Sequence, residues 1–85
     1  MVIFYSSKFS REYQGLPEEL RITAKEKEKL FRDNPFDPRL NTHKLHGKYR
    51  ECWAFTIVGP YRIMFKFLNK GRVDFINIGD HDIYR

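Results

Sequence analysis

The chain closes with Gly79-Asp80-His81-Asp82-Ile83-Tyr84-Arg85. A histidine, a tyrosine and an arginine meet there, and no apolar period accounts for them. Histidine is the side chain suited to general acid or base work near neutral pH. Tyrosine stacks on a flat ring or donates a proton. The competing reading is a polar tail anchored by Ile83 and Tyr84. Upstream, Arg62 stands in Pro60-Tyr61-Arg62-Ile63-Met64-Phe65. A cation among strand hydrophobics needs a partner or a task. Either it pairs with a carboxylate such as Glu51 or Asp74, or its planar fork clamps a phosphate. A third stretch is His43-Lys44-Leu45-His46-Gly47-Lys48-Tyr49-Arg50-Glu51. The spacing of His43 and His46 raises a metal site, for which zinc would need further ligands, such as His81 with Asp80 or Asp82. The chain has no cysteine pair and no His-Glu-x-x-His, so no metal or other cofactor is expected. Cys52 lies among bulky neighbours and reads as a small packed hydrophobe rather than a nucleophile.

These residues need a scaffold. Val2-Ile3-Phe4-Tyr5 is β-branched and aromatic and predicts a first strand. Ser6-Ser7 caps a short helix through Lys8–Tyr13, which Gly15 breaks. Pro17, Glu18 and Glu19 start a second helix. Leu20, Ala24, Lys27 and Phe31 follow at helical spacing, with Leu30 beside them. Lys25-Glu26-Lys27-Glu28-Lys29 is then solvated surface. Pro35 stops this helix near Asp33-Asn34. Residues Pro35–Gly47 read as a connecting loop. Beyond it the period becomes alternating. Trp53, Phe55 and Ile57 share one strand face, Gly59-Pro60 turns the chain, and Tyr61, Ile63, Phe65 and Phe67 share the next. Arg62 falls with Met64 on the opposite face. Asn69-Lys70-Gly71 is a second hairpin signal, and Val73–Ile78 is the last strand. The expected fold is α+β, in the order β-α-α-β-β-β. Two N-terminal helices pack on one face of a small antiparallel sheet. The first strand extends the sheet at an edge or pairs inside it.

Length and charge bound the rest. With 85 residues the expectation is one domain, spanning 1–85. Sixteen Lys and Arg against eleven Asp and Glu leave a net charge of +5. The helical half is nearly balanced, and the excess, with all three histidines, falls at residues 43–85. A basic face attracts nucleic acid, anionic membrane or an acidic partner. A single cysteine excludes a disulfide framework. The apolar runs are too short to cross a bilayer, and the N-terminus lacks a signal-peptide pattern, so a cytoplasmic protein without a membrane role is expected. No Gly-rich phosphate loop, dinucleotide fingerprint or Gly-x-Ser-x-Gly elbow is present. What remains is His, Arg, Lys and Tyr without an evident metal. That set suits RNA cleavage by the RNA's own 2′-hydroxyl, where a base removes its proton, cations hold the phosphorane charge and an acid protonates the leaving oxygen.

The chain resembles the RelE/ParE superfamily of toxins from bacterial type II toxin–antitoxin systems, over essentially its whole length. Tyr49-Arg50-Glu51-Cys52 is similar to the Tyr-Arg-Asp-Cys run of YafQ-like members. Tyr61-Arg62-Ile63-Met64-Phe65 is similar to the family's aromatic-Arg-aliphatic-aliphatic-aromatic strand, and Gly79-Asp80-His81 to a closing Gly-Thr-His. The resemblance is greatest to the YafQ- and YoeB-like mRNA interferases. It implies a RelE-like domain and a metal-independent endoribonuclease that cuts mRNA on the ribosome. It also implies a cognate antitoxin protein as partner. By resemblance, His43 is the general base, His81 the general acid, Arg62 the phosphate holder and Tyr84 the terminal aromatic beside the substrate. His46, Lys48 and Arg50 are candidate RNA-backbone contacts. Trp53 stands where YafQ-like members have a second histidine; YoeB-like members also carry Trp there, and we read it as core. Two other readings use the same fold: a ParE-like poison of DNA gyrase, and a non-catalytic basic binding module. The His/Tyr ending argues against the first.

Overall fold

The computed structural model of the chain describes residues 1–80. β1 (Val2–Tyr5) leads into α1 (Ser7–Gln14) and α2 (Glu18–Asp33). A short 3-10 turn (Pro38–Leu40) precedes β2 (His43–Lys44), and another (Gly47–Tyr49) precedes β3 (Trp53–Val58). β4 (Tyr61–Phe67) and β5 (Arg72–Gly79) complete the sheet. Its order is β1-β5-β4-β3-β2. The three long strands form the expected antiparallel meander. β1 takes the edge, parallel to β5, with Ile3 beside Val73.

Local chemistry explains the element ends. Ser6 caps α1: its Oγ accepts from the Phe9 N–H at 2.9 Å. Its hydroxyl also donates to the Ile76 carbonyl at 2.7 Å, tying the helix start to β5. Further along α1, a Glu12 carboxylate oxygen accepts from the Ile78 N–H at 3.2 Å. A backbone donor beyond the end of β1 is thereby satisfied, as a strand edge requires. Glu18 and Glu19 lie in the first turn of α2, where the helix dipole favours them. Asn34, extended before Pro35, ends that helix. At the last hairpin Lys70 and Gly71 both adopt positive φ, 60° and 74°. That backbone matches the right-handed twist of the strands it joins.

One face of the sheet meets both helices. Phe9 from α1 and Ala24 and Phe31 from α2 pack on Phe55, Ile57, Ile63, Phe65, Val73, Phe75 and Ile78. Phe31 is fully buried, with ring centroids 5.0 Å from Phe55 and 4.9 Å from Phe65. Five of the eight phenylalanines, Phe9, Phe31, Phe55, Phe65 and Phe75, give this short chain a core of large, interlocking rings. Trp53 packs at its margin against Phe36 and Phe67, as its core reading expects.

The segment between α2 and β3 departs from the expected plain loop. His43 and Lys44 form a two-residue strand that pairs antiparallel with Ala54 and Trp53. Two residues are too few to carry a visible alternation, so composition reads as loop. The consequence is functional: His43 is fixed to the sheet. Among the described residues, no helix is long and apolar enough to cross a membrane.

Candidate active site

The helix-free face of the sheet gathers the candidate chemistry. Paired residues in adjacent strands point to the same side. His43 opposes Ala54, Ala54 opposes Met64, and Met64 opposes Asn77, making one row across the sheet. The neighbouring row is Thr56, Arg62 and Gly79. Phe55, Ile63 and Phe65 are committed to the core on the other side. His43 and Arg62 therefore share the open face, two strands and one row apart. That offset separates their Cα atoms by about 12 Å. Within it, the Arg62 guanidinium folds back on the Gly59–Tyr61 turn and His43 Nδ1 turns to the Asn41 carbonyl.

His43 is exposed, and its Nδ1 lies 2.8 Å from the Asn41 carbonyl oxygen. A carbonyl only accepts, so Nδ1 carries the proton. In the neutral ring Nε2 then holds the lone pair, the arrangement a general base needs. Asn41 presents that carbonyl from a left-handed backbone, φ 50°, which asparagine tolerates better than most residues. The local structure is braced by Thr42, whose hydroxyl donates to the Pro35 carbonyl at 2.5 Å.

Arg62 is half-buried on β4, opposite Thr56 and Gly79. Its Nη1 donates to the carbonyls of Gly59 at 2.5 Å and Tyr61 at 3.1 Å. The two carboxylates considered as its partners are engaged elsewhere: Glu51 pairs with Lys66 at 3.8 Å and Asp74 with Arg72 at 2.9 Å. Neutral carbonyls aim the guanidinium while leaving its charge uncompensated by either group. Gly59 adopts φ 55° in this turn, a backbone that glycine provides without strain.

Other candidates lie farther along. His46, Lys48 and Arg50 are exposed in the β2–β3 connection, at the end of the face away from Arg62. Lys48 Nζ stands 5.2 Å from the Tyr49 ring. Tyr49 and Leu45 pack on Cys52 and Met64, so a small apolar cluster separates these cations from Arg62. Cys52 is buried there, and burial pushes its thiol pKa up. That fits a packed hydrophobe. His81 and Tyr84 lie outside the described residues. β5 brings the chain to Gly79, directly opposite Arg62, two positions before His81. Among the described residues, no three His, Cys, Asp or Glu side chains are grouped to hold a metal ion. Composition gave no sign of Lys44, whose Nζ lies 5.3 Å from the Trp53 ring. The Asn41 carbonyl went unnoticed for a simpler reason: every residue has one.

No protein-family model matches the chain, and no curated protein matches it significantly. Solved structures do resemble it. A YoeB/ParE toxin from Agrobacterium tumefaciens superposes with a TM-score of 0.81 at 16% identity, covering 95% of this chain and 99% of that one. YafQ from E. coli strain BL21(DE3) gives 0.80 at 17% identity, covering 96% and 94%. A RelB–RelE antitoxin–toxin complex from Methanococcus jannaschii gives 0.72 at 22% identity, covering 95% and 94%. The likeness extends over nearly the full length of each chain. The chain has the fold of the RelE/ParE superfamily of toxins.

Proposed function

We propose that this chain, as one domain over residues 1–85, is the toxin of a type II toxin–antitoxin system. In this reading it acts in the cytoplasm as a metal-independent endoribonuclease and cuts mRNA on the ribosome. One observation carries the reading: His43, with Nε2 free to accept a proton, shares an open sheet face with Arg62. His43 takes the 2′-hydroxyl proton, and the 2′-oxygen attacks the adjacent phosphorus. Arg62 holds the charge that builds on the phosphorane oxygens. The P–O5′ bond breaks, His81 gives its proton to the departing 5′-oxygen, and a 2′,3′-cyclic phosphate remains. Tyr84 stacks on a base beside the scissile bond. His46, Lys48 and Arg50 contact the backbone farther along the strand.

The partner expected for this basic face is an acidic antitoxin segment that folds as it binds. The RelB–RelE complex among the similar structures supports that expectation. Induced expression tests the reading. Wild-type chain arrests growth, and His81→Ala restores it while circular dichroism keeps its native form. Full toxicity of His81→Ala would remove His81 from the mechanism. A DNA-damage response with intact mRNA would instead identify a gyrase poison.

A further inference from the structure

Among the described residues, one polar side chain is buried on the helix-free face. Asn77, 3% exposed, lies in the row of His43, Ala54 and Met64, diagonal to Arg62. A buried amide costs stability unless its hydrogen bonds are made. With the amide oriented as this surrounding network requires, oxygen toward the amine, its nitrogen donates to the Ile76 carbonyl at 3.3 Å and its oxygen accepts from Lys8 Nζ at 2.8 Å. Lys8 belongs to α1, a helix that otherwise serves the opposite face through Phe9. Its amine reaches a side chain of the open face, where β5 extends past the end of β1.

Anchoring α1 does not require this contact. Ser6 and Glu12 already tie the helix to Phe75, Ile76 and Ile78 of β5. Lys8 also forms no ion pair among the described residues. It is held by a neutral amide, as Arg62 is held by neutral carbonyls, and among the described residues no carboxylate pairs with either. A buried group that aims a cation without neutralising it is a way to prepare an anion site.

We propose that Lys8 is a second phosphate-contacting cation of the open face, and that Asn77 is its positioning residue. The inference rests on the RNA reading given above. Asn77 and Arg62 are diagonal neighbours on β5 and β4, so the two cations are anchored beside the same stretch of the sheet.

The test is binding of a single-stranded, fully 2′-O-methylated oligoribonucleotide, which lacks the nucleophile, to the full chain over a range of KCl. Lys8→Ala should bind about tenfold more weakly. Its slope of log affinity against log salt should fall by about 0.7 in magnitude, one contact's worth for a single strand. Lys8→Arg should restore both, and Asn77→Ala should lower both with Lys8 present. Melting of every variant near the wild-type temperature separates this role from a structural one. Wild-type affinity and slope in Lys8→Ala, with both reduced in Arg62→Ala, would overturn the Lys8 assignment and leave the RNA reading standing. If the wild-type chain neither binds this RNA nor cuts mRNA in cells, both fall together.

Discussion

Replacing Phe31 with alanine removes the ring that joins α2 to the sheet. That ring is fully buried and meets Phe55, Phe65, Phe67 and Phe75 with centroids 4.9 to 6.4 Å away. Three of those four partners are themselves completely inaccessible, so the surroundings have little freedom to collapse into the space. A buried Phe→Ala change costs about 3–5 kcal/mol, and a rigid site belongs at the upper end of that range. A domain of this size holds about 4–13 kcal/mol in total. The substitution should therefore lower the melting temperature by about 20 °C or more. In urea the midpoint should fall by about 3 M, with the slope of the transition unchanged. Trp53, the sole tryptophan, packs on Phe36 and Phe67 at the core margin and reports unfolding by fluorescence. A loss below about 1.5 kcal/mol, in a cooperative transition of unchanged slope, would refute this account of the core.

Other outcomes follow from the site. His43→Ala should slow RNA cleavage by about 10²–10⁴ while melting as wild type, because the ring is exposed; undiminished cleavage would remove it as the base. Burial raises the Cys52 thiol pKa, so at pH 7.5 the thiol stays protonated. Iodoacetamide should then label it slowly until urea opens the fold, and rapid labelling of folded protein would contradict the packing described. Asp37 accepts hydrogen bonds from the Arg39 side chain and backbone, which hold its carboxyl at about 2. A depressed pKa contributes stability above the unfolded value, and that contribution is lost as pH falls through about 2. Carboxyl NMR titration should give that midpoint in wild type and a higher one for Asp37 in Arg39→Ala, still below the ordinary carboxylate value because the residue-39 N–H remains.

Local signals carried most of the scaffold. The alternation of Trp53, Phe55 and Ile57 and of Ile63 and Phe65 named the core face, and the same parity put Arg62 on the other. Ser6, Pro17 and Pro35 marked helix ends through backbone chemistry that acts within a few residues. What stayed hidden depends on partners distant in sequence or on backbone atoms. The parallel pairing of β1 with β5 joins residues about seventy positions apart, and no local pattern encodes it. β2 is a strand only because β3 offers it an edge. His43 was legible as a candidate through its type and its resemblance, whereas its proton arrangement comes from the Asn41 carbonyl. No local pattern sets Lys8 apart in the first helix; its contact with Asn77, distant in sequence, does. His81 and Tyr84 retain the roles proposed from chemistry and resemblance.

Mapping of mRNA 5′ ends by primer extension, minutes after induction in growing cells, tests the central claim most directly. The account predicts new cuts within translated sequence, in register with the reading frame, that vanish in His43→Ala and His81→Ala. Growth arrest with mRNA left whole in the wild-type chain would contradict it.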